Sequence, residues 1–227
     1  MSYENNYKLL KLAAELLGNL KEDLVFVGGS TTCLYVDPVI GDELRPTEDV
    51  DCVVRAYSIK EYYKVEKRLR KLGFINDTRK DAPICRFLYG ELLTLDVMPD
   101  DQEILGFSNS WYKAGIQNRI KVDLGGHEIS AFSLPYFLAS KFEAFESRGI
   151  SDPRLSSDLE DIIMVLDGVK DLKIKDLNSD ASKFLSEKAS DCLNNNLIQE
   201  AINGFLSTGN NITRVNRRLE SLVSLGL

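Results

Sequence analysis

The chain has 227 residues, 44% hydrophobic and 28% charged, with a net charge of −7. That length suits one large domain or two small ones with a proper core, and the acidic balance excludes a broad duplex-DNA coat, which needs a basic face. Cys33, Cys52, Cys85 and Cys192 lack C-x-x-C spacing. No run approaches the roughly 18 apolar residues of a membrane span, and the N-terminus has no signal-peptide stretch. The expectation is therefore a cytoplasmic protein with reduced thiols and no membrane partner.

In chain order, residues 5–18 place Leu9, Leu10, Leu12, Ala13, Leu16 and Leu17 on one helical face, with Gly18 as the stop. A strand follows at 24–27, then the turn Gly28-Gly29-Ser30 and a second helix from Ser30 to Tyr35. Val39 to Pro46 reads as a loop and Val50–Val54 as a strand. Ser58 caps a helix that runs to Leu72, with Gly73 closing it. Cys85–Tyr89 and Leu92–Val97 pair as a hairpin about Gly90-Glu91; Ile116–Leu124 and His127–Phe132 pair about Gly125-Gly126. Ser133 and Pro135 open a helix to Arg148. From there only helical patterns remain, at 156–167, 180–193, 197–207 and 212–224. The division is a mixed α/β half, 1–133, and a helical half, 134–227, with the site in the cleft between them.

Three carboxylates carry the chemistry. Asp49 and Asp51 alternate about Val50, so a strand puts both on one face. Two such charges repel by roughly 4 kcal/mol at an effective dielectric of 20, which a cation or a shared proton must offset. Asp96 is the lone charge in the apolar run Leu92-Leu93-Thr94-Leu95-Asp96-Val97-Met98; Asp100 and Asp101 are its rivals, beyond the strand. Three aspartates on neighbouring strands form an oxygen-only site suited to Mg²⁺. Gly28-Gly29-Ser30, directly after Leu24-Val25-Phe26-Val27, presents free backbone N–H groups and a hydroxyl, a cradle for phosphate.

Gly29-Ser30, then Arg45-Pro46-Thr47-Glu48-Asp49-Val50-Asp51, then Lys141 through Arg148, then Asp158-Leu159-Glu160-Asp161 form one ordered set. It resembles the nucleotidyltransferase superfamily founded on DNA polymerase β. More closely it resembles the AbiEii branch, toxins of type IV toxin–antitoxin and phage-defence systems. The resemblance implies an α+β fold, a nucleotidyltransferase mixed sheet followed by an all-helical C-terminal half. It implies transfer of an NMP from an NTP to an acceptor hydroxyl, with Mg²⁺ (Mn²⁺ as the alternative) on Asp49, Asp51 and Asp96. Asp96 would also accept the hydroxyl's proton. Gly28, Gly29, Ser30, Lys141 and Asp158 would bind the nucleotide, supported by Arg45, Thr47, Arg148 and Asp161; Asp158 and Asp161 compete for the family's final aspartate. Ser157 stands where that branch often has a basic residue. The acceptor implied is RNA, at the tRNA 3′ end, with a cognate antitoxin as partner. The alternatives are nucleotidylation of a small molecule or protein, or a nucleotide binder without chemistry.

Other residues have plainer readings. Arg45 can pair with Glu43 or Glu48, and Thr47 can bond within its own loop. Lys60, Lys64, Lys67, Arg68, Arg70 and Lys71 make one helix basic; the usual role of such a face is solvation, the sharper one an RNA track. His127 is the only histidine, which leaves zinc or a Ser-His-Asp hydrolase little support.

Overall fold

The computed structural model describes residues 2–39, 44–172, 174, 177–206 and 208–226. Half of the expected 39–46 loop, Glu43 included, and the last residue of the expected 197–207 helix lie outside them. Helix α1 (Ser2–Leu17) buries Leu10, Ala13, Ala14 and Leu17 and leads through a 3-10 turn, Gly18–Asp23, into strand β1 (Leu24–Val27). All four β1 residues are buried, as befits an interior strand without alternation. After Gly28 comes 3-10 helix Gly29–Leu34 in place of the expected α-helix. The hydroxyls of Thr31 and Thr32 donate to the carbonyls of Gly28 and Gly29, three residues back, which tightens the winding.

Strand β2 (Asp49–Val54) buries Val50 and Cys52 on one face and turns Asp49 and Asp51 to the other. Helix α2 (Ile59–Lys71) is capped by the Ser58 side chain and lays Tyr62 and Leu69 on the core; the Tyr62 hydroxyl donates to the Val97 carbonyl at 2.8 Å. A two-residue strand not expected from sequence, β3 (Ile75–Asn76), precedes β4 (Arg86–Tyr89) and β5 (Leu93–Pro99). The short helices α3 (Gln102–Leu105) and α4 (Tyr112–Gln117) follow. Helix α4 takes the first residues of the expected 116–124 strand: Ile116 is buried on that helix, and strand β6 begins at Arg119 (Arg119–Asp123). It pairs with β7 (Glu128–Phe132) across Gly125 and Gly126, both at positive φ.

The strands form one mixed seven-stranded sheet in the order β3-β4-β5-β2-β1-β7-β6. Pairs β2–β5 and β1–β7 are parallel, the rest antiparallel. Helix α5 (Leu134–Arg148) is buried continuously from Pro135 to Phe142 and packs beside β7. Helices α6 (Ser157–Gly168), α7 (Ser179–Asn194), α8 (Asn196–Phe205) and α9 (Gly209–Val223) complete the chain. Arg214 bonds Asp167 Oδ1 at 2.9 Å and Arg218 bonds the Asp167 carbonyl at 2.8 Å, two cations at the α6 C-terminus where the helix dipole favours them. The apolar core runs without a break from Leu10 through the sheet to Leu222. Among the described residues no helix is long and apolar enough to cross a membrane.

Candidate functional site

Strand register builds the centre of the site. Asp96 on β5 is directly opposite Asp51 on β2, and Arg86 on β4 is directly opposite Asp96. Val27 of β1 completes the row beside Asp51. Opposed residues share a face, so Arg86, Asp96 and Asp51 line up across three strands, with Asp49 two residues before Asp51. Asp100 and Asp101 stand apart from this row. Asp100 Oδ1 accepts the Ala56 N–H at 3.0 Å; Asp101 caps α3 and pairs with Lys113 at 2.7 Å.

Arg86 is the residue the sequence reading missed. Its Nε donates to Asp96 Oδ1 at 2.8 Å and its Nη2 to Asp96 Oδ2 at 2.7 Å, while Nη2 also reaches Asp49 Oδ2 at 3.1 Å. This is a bidentate fork with a third arm, the strongest class of protein ion pair. Asp51 has no hydrogen-bond or ion-pair partner among the described residues. Burial, then the neighbouring Asp49 and Asp96, push its carboxyl up to about 7. Burial and Asp96 also raise Asp49, against the pull of Arg86.

The glycines hold the backbone against these groups. A Cβ on Gly28, at φ +74°, would sit 1.9 Å from Asp51 Oδ2; one on Gly29 would meet Thr47 Cγ2 at 2.8 Å and Arg45 Nη2 at 2.9 Å. Only glycine permits this approach. Ser30 is fully buried, and its hydroxyl has no hydrogen-bond partner among the described residues.

The motif loop is fixed from α1, not from within itself. Fully buried Asn6 donates through Nδ2 to the Arg45 carbonyl at 3.1 Å, and its Oδ1 accepts the Thr47 N–H at 3.1 Å. Asn6→Ala leaves both backbone groups unpaired, an expected loss of about 1–3 kcal/mol; an unchanged urea midpoint would show that the loop does not depend on this clamp.

Across from the row, α5 and α6 contribute a chain of charges. Lys141, 8% exposed, lies 2.9 Å from Asp158 Oδ1 and 2.7 Å from Asp161 Oδ2. Arg148 forks onto Asp158 at 2.7 and 3.0 Å. Arg45 Nη2 reaches Asp161 Oδ2 at 3.5 Å and Arg45 Nε reaches Glu160 at 3.8 Å. The order is thus Arg148–Asp158–Lys141–Asp161–Arg45, which ties the motif loop to the helical half. Both rival aspartates belong to it: Asp158 faces the arginine of α5, Asp161 the arginine of the loop. Burial pulls the Lys141 ammonium down, but Asp161 and Asp158 outweigh it and raise it. Burial pushes Asp158 up, and Arg148 and Lys141 more than reverse that.

A cleft of about 460 Å³ separates the two charge systems. Gly28, Asp51 and Asp96 line one wall, Lys141, Arg148 and Asp158 the other, and Phe107 and Tyr112 are also in the lining. Asp49, Gly29, Ser30, Arg45, Thr47 and Asp161 are not among its lining residues. Trp111 packs on Phe184 at 4.9 Å between ring centres.

As the side chains stand, no three His, Cys, Asp or Glu among the described residues converge on one point, and Arg86 lies between Asp49 and Asp96. The donor chemistry nevertheless fits a hard divalent cation. The set is oxygen-only, and partnerless Asp51 is pushed up to about 7 by burial first and then by Asp49 and Asp96, the negative charge that a bound cation would offset.

The fold is an α+β, nucleotidyltransferase-like one. No family model and no curated protein matches the chain. Among solved structures it is similar to an antigenic nucleotidyltransferase-like protein from Paracoccidioides brasiliensis, at 18% identity over 96% of this chain and 94% of that one, with a TM-score of 0.51. It also matches JHP933 from Helicobacter pylori, at 13% identity over 98% of this chain and 94% of that one, with a TM-score of 0.49.

Proposed function

We propose that the protein is a Mg²⁺-dependent nucleotidyltransferase, with Mn²⁺ as the alternative metal. The observation that supports this best is the register of Asp51 against Asp96 on one wall of a cleft whose other wall carries Lys141 and Arg148. Asp49, Asp51 and Asp96 would hold the metal, which when bound offsets charge on the triphosphate and at the reacting phosphorus. Lys141 and Arg148 draw the triphosphate to the opposite wall, and Gly28 lets the Asp51 carboxylate lie against the turn that borders the cleft. The acceptor hydroxyl oxygen attacks the α-phosphorus, the bond to the β-phosphate oxygen breaks, and pyrophosphate leaves. Asp96 takes the hydroxyl's proton. Ser30, expected to contact the phosphate, is fully buried and outside the cleft lining, so as the structure stands its hydroxyl does not reach the nucleotide space.

The finer reading is an AbiEii-like toxin that acts on RNA, at the tRNA 3′ end, and is neutralised by a cognate antitoxin. It rests on the motif resemblance and on the exposed basic face of α2, where Lys60, Lys64, Lys67, Arg68, Arg70 and Lys71 are open to solvent. The test is incubation with each α-labelled NTP, Mg²⁺ and total RNA or purified tRNA, followed by a gel. Label in RNA is expected. Charge reversal of Lys64, Lys67 and Lys71 together is expected to depress that labelling, more steeply as salt rises. Label in protein would move the acceptor to a polypeptide, and label in neither, with a folded protein, would sink the transferase reading for these acceptors.

A further inference from the structure

The carboxylate row already contains a cation, and it is a side chain. Arg86 bonds both oxygens of Asp96 and one of Asp49, two of the three groups that a metal would need. Its charge is permanent, since a guanidinium does not deprotonate in proteins. A divalent cation therefore does not enter an empty acidic site; it competes with Arg86 for the same oxygens. The fold leaves the displaced guanidinium open space. Arg86 lines a surface hollow of about 350 Å³ with Asp77, Arg79, Lys80, Asp81 and Ala82. Arg79 already bonds both oxygens of Asp77, and Lys80 stands beside Asp81, so the hollow offers the side chain room rather than net negative charge.

We propose that Arg86 is a displaceable counter-ion for the catalytic carboxylates: it satisfies Asp96 and Asp49 in the metal-free protein and must turn toward the Asp77–Asp81 hollow before a divalent cation binds. Arg86 is thus a positioning residue that sets the cation affinity of the site. This rests on the reading of the row as a metal site. It accounts for why Asp51 alone is partnerless: the guanidinium covers two carboxylates and leaves the third as the first point of contact for the incoming ion.

The test is Mn²⁺ binding to the nucleotide-free full chain, followed by calorimetry and by the spin-resonance signal of free Mn²⁺. Arg86→Gln removes the competing charge and is expected to bind Mn²⁺ about tenfold or more tightly than wild type. Its melting temperature in chelator is expected to fall and to recover with Mn²⁺ more than wild type gains. Arg86→Lys keeps the charge but cannot fork, so a rise of a few-fold is expected; this variant carries the test if Arg86→Gln does not fold without metal. Equal or weaker Mn²⁺ binding in both variants would overturn the displacement role and leave the metal site standing. No Mn²⁺ binding at millimolar concentration by wild type or variants, with or without NTP, would overturn the metal reading itself and this inference with it.

Discussion

Asp51→Asn is expected to abolish nucleotidyl transfer while making the metal-free protein more stable. The substitution keeps the shape of the side chain and removes the one carboxylate without a counter-ion. Loss of a preorganised charge at a reaction centre costs about 10²–10³-fold or more in rate. The stability effect has a definite sign. In the metal-free fold the Asp51 carboxyl is raised to about 7, by burial first and then by Asp49 and Asp96, against about 3.9 in an unfolded chain. Between those values the folded state binds the extra proton, so this group's contribution is fully present below about pH 4 and is lost as pH rises through about 7. At pH 8 in chelator, Asp51→Asn should therefore melt higher than wild type, by about 2–4 °C for each kcal/mol relieved, with the gap closing toward pH 4. Equal melting curves at both pH values would show that Asp51 is not strained by its neighbours, and wild-type turnover would remove it from the reaction.

Lys141→Ala is expected to cost the fold as well as the ligand. Sequence alone suggests a lysine that gives up only contacts to phosphate. In the structure Lys141 is buried between Asp158 and Asp161, so truncation leaves buried carboxylates facing each other without their shared ammonium. Breaking such a pair costs about 3–5 kcal/mol, a large share of the roughly 5–15 kcal/mol that holds a domain together. Urea unfolding reads this directly. Adding Asp161→Asn to Lys141→Ala should restore part of the loss, because the cause is an uncompensated charge. If the single variant unfolds at the wild-type midpoint, the ammonium is dispensable to the fold, and its role reduces to contact with ligand. Asp158 adds the opposite pH signature to that of Asp51. Its carboxyl is lowered by Arg148 and Lys141 against the upward push of burial, so its stabilisation is present above the ordinary carboxylate range and is lost as pH falls through its folded value.

Local periodicity carried much of this molecule. The alternation of Asp49 and Asp51 about a buried Val50 needs only the two-residue repeat of a strand, and the structure has it at β2. The apolar run with one charge marks β5 and Asp96. The glycines at 28 and 29 follow from a strand that must turn at once. The boundary between α4 and β6 was less legible, because Ile116 is apolar in either conformation and only its burial beside the neighbouring helix decides which one forms.

Arg86 shows what sequence by itself left undetermined. It was visible as a lone cation at the start of an apolar strand, but its partner depends on register. A two-residue turn at Gly90-Glu91 would set Arg86 opposite Leu95, on the wrong face. The structure pairs Tyr89 with Leu93, one residue further on, and so sets Arg86 opposite Asp96. A single step of register decides whether the carboxylate row contains its own counter-ion. The same holds for Asp158 and Asp161, which sequence presents as rivals three residues apart. Helix α6 turns both toward Lys141, and only the packing of α6 on α5 and on the motif loop gives each its own arginine. Residue types and short-range spacing determined which groups carry charge and which face they share; strand register and helix packing, which depend on contacts between distant segments, decided which charges meet.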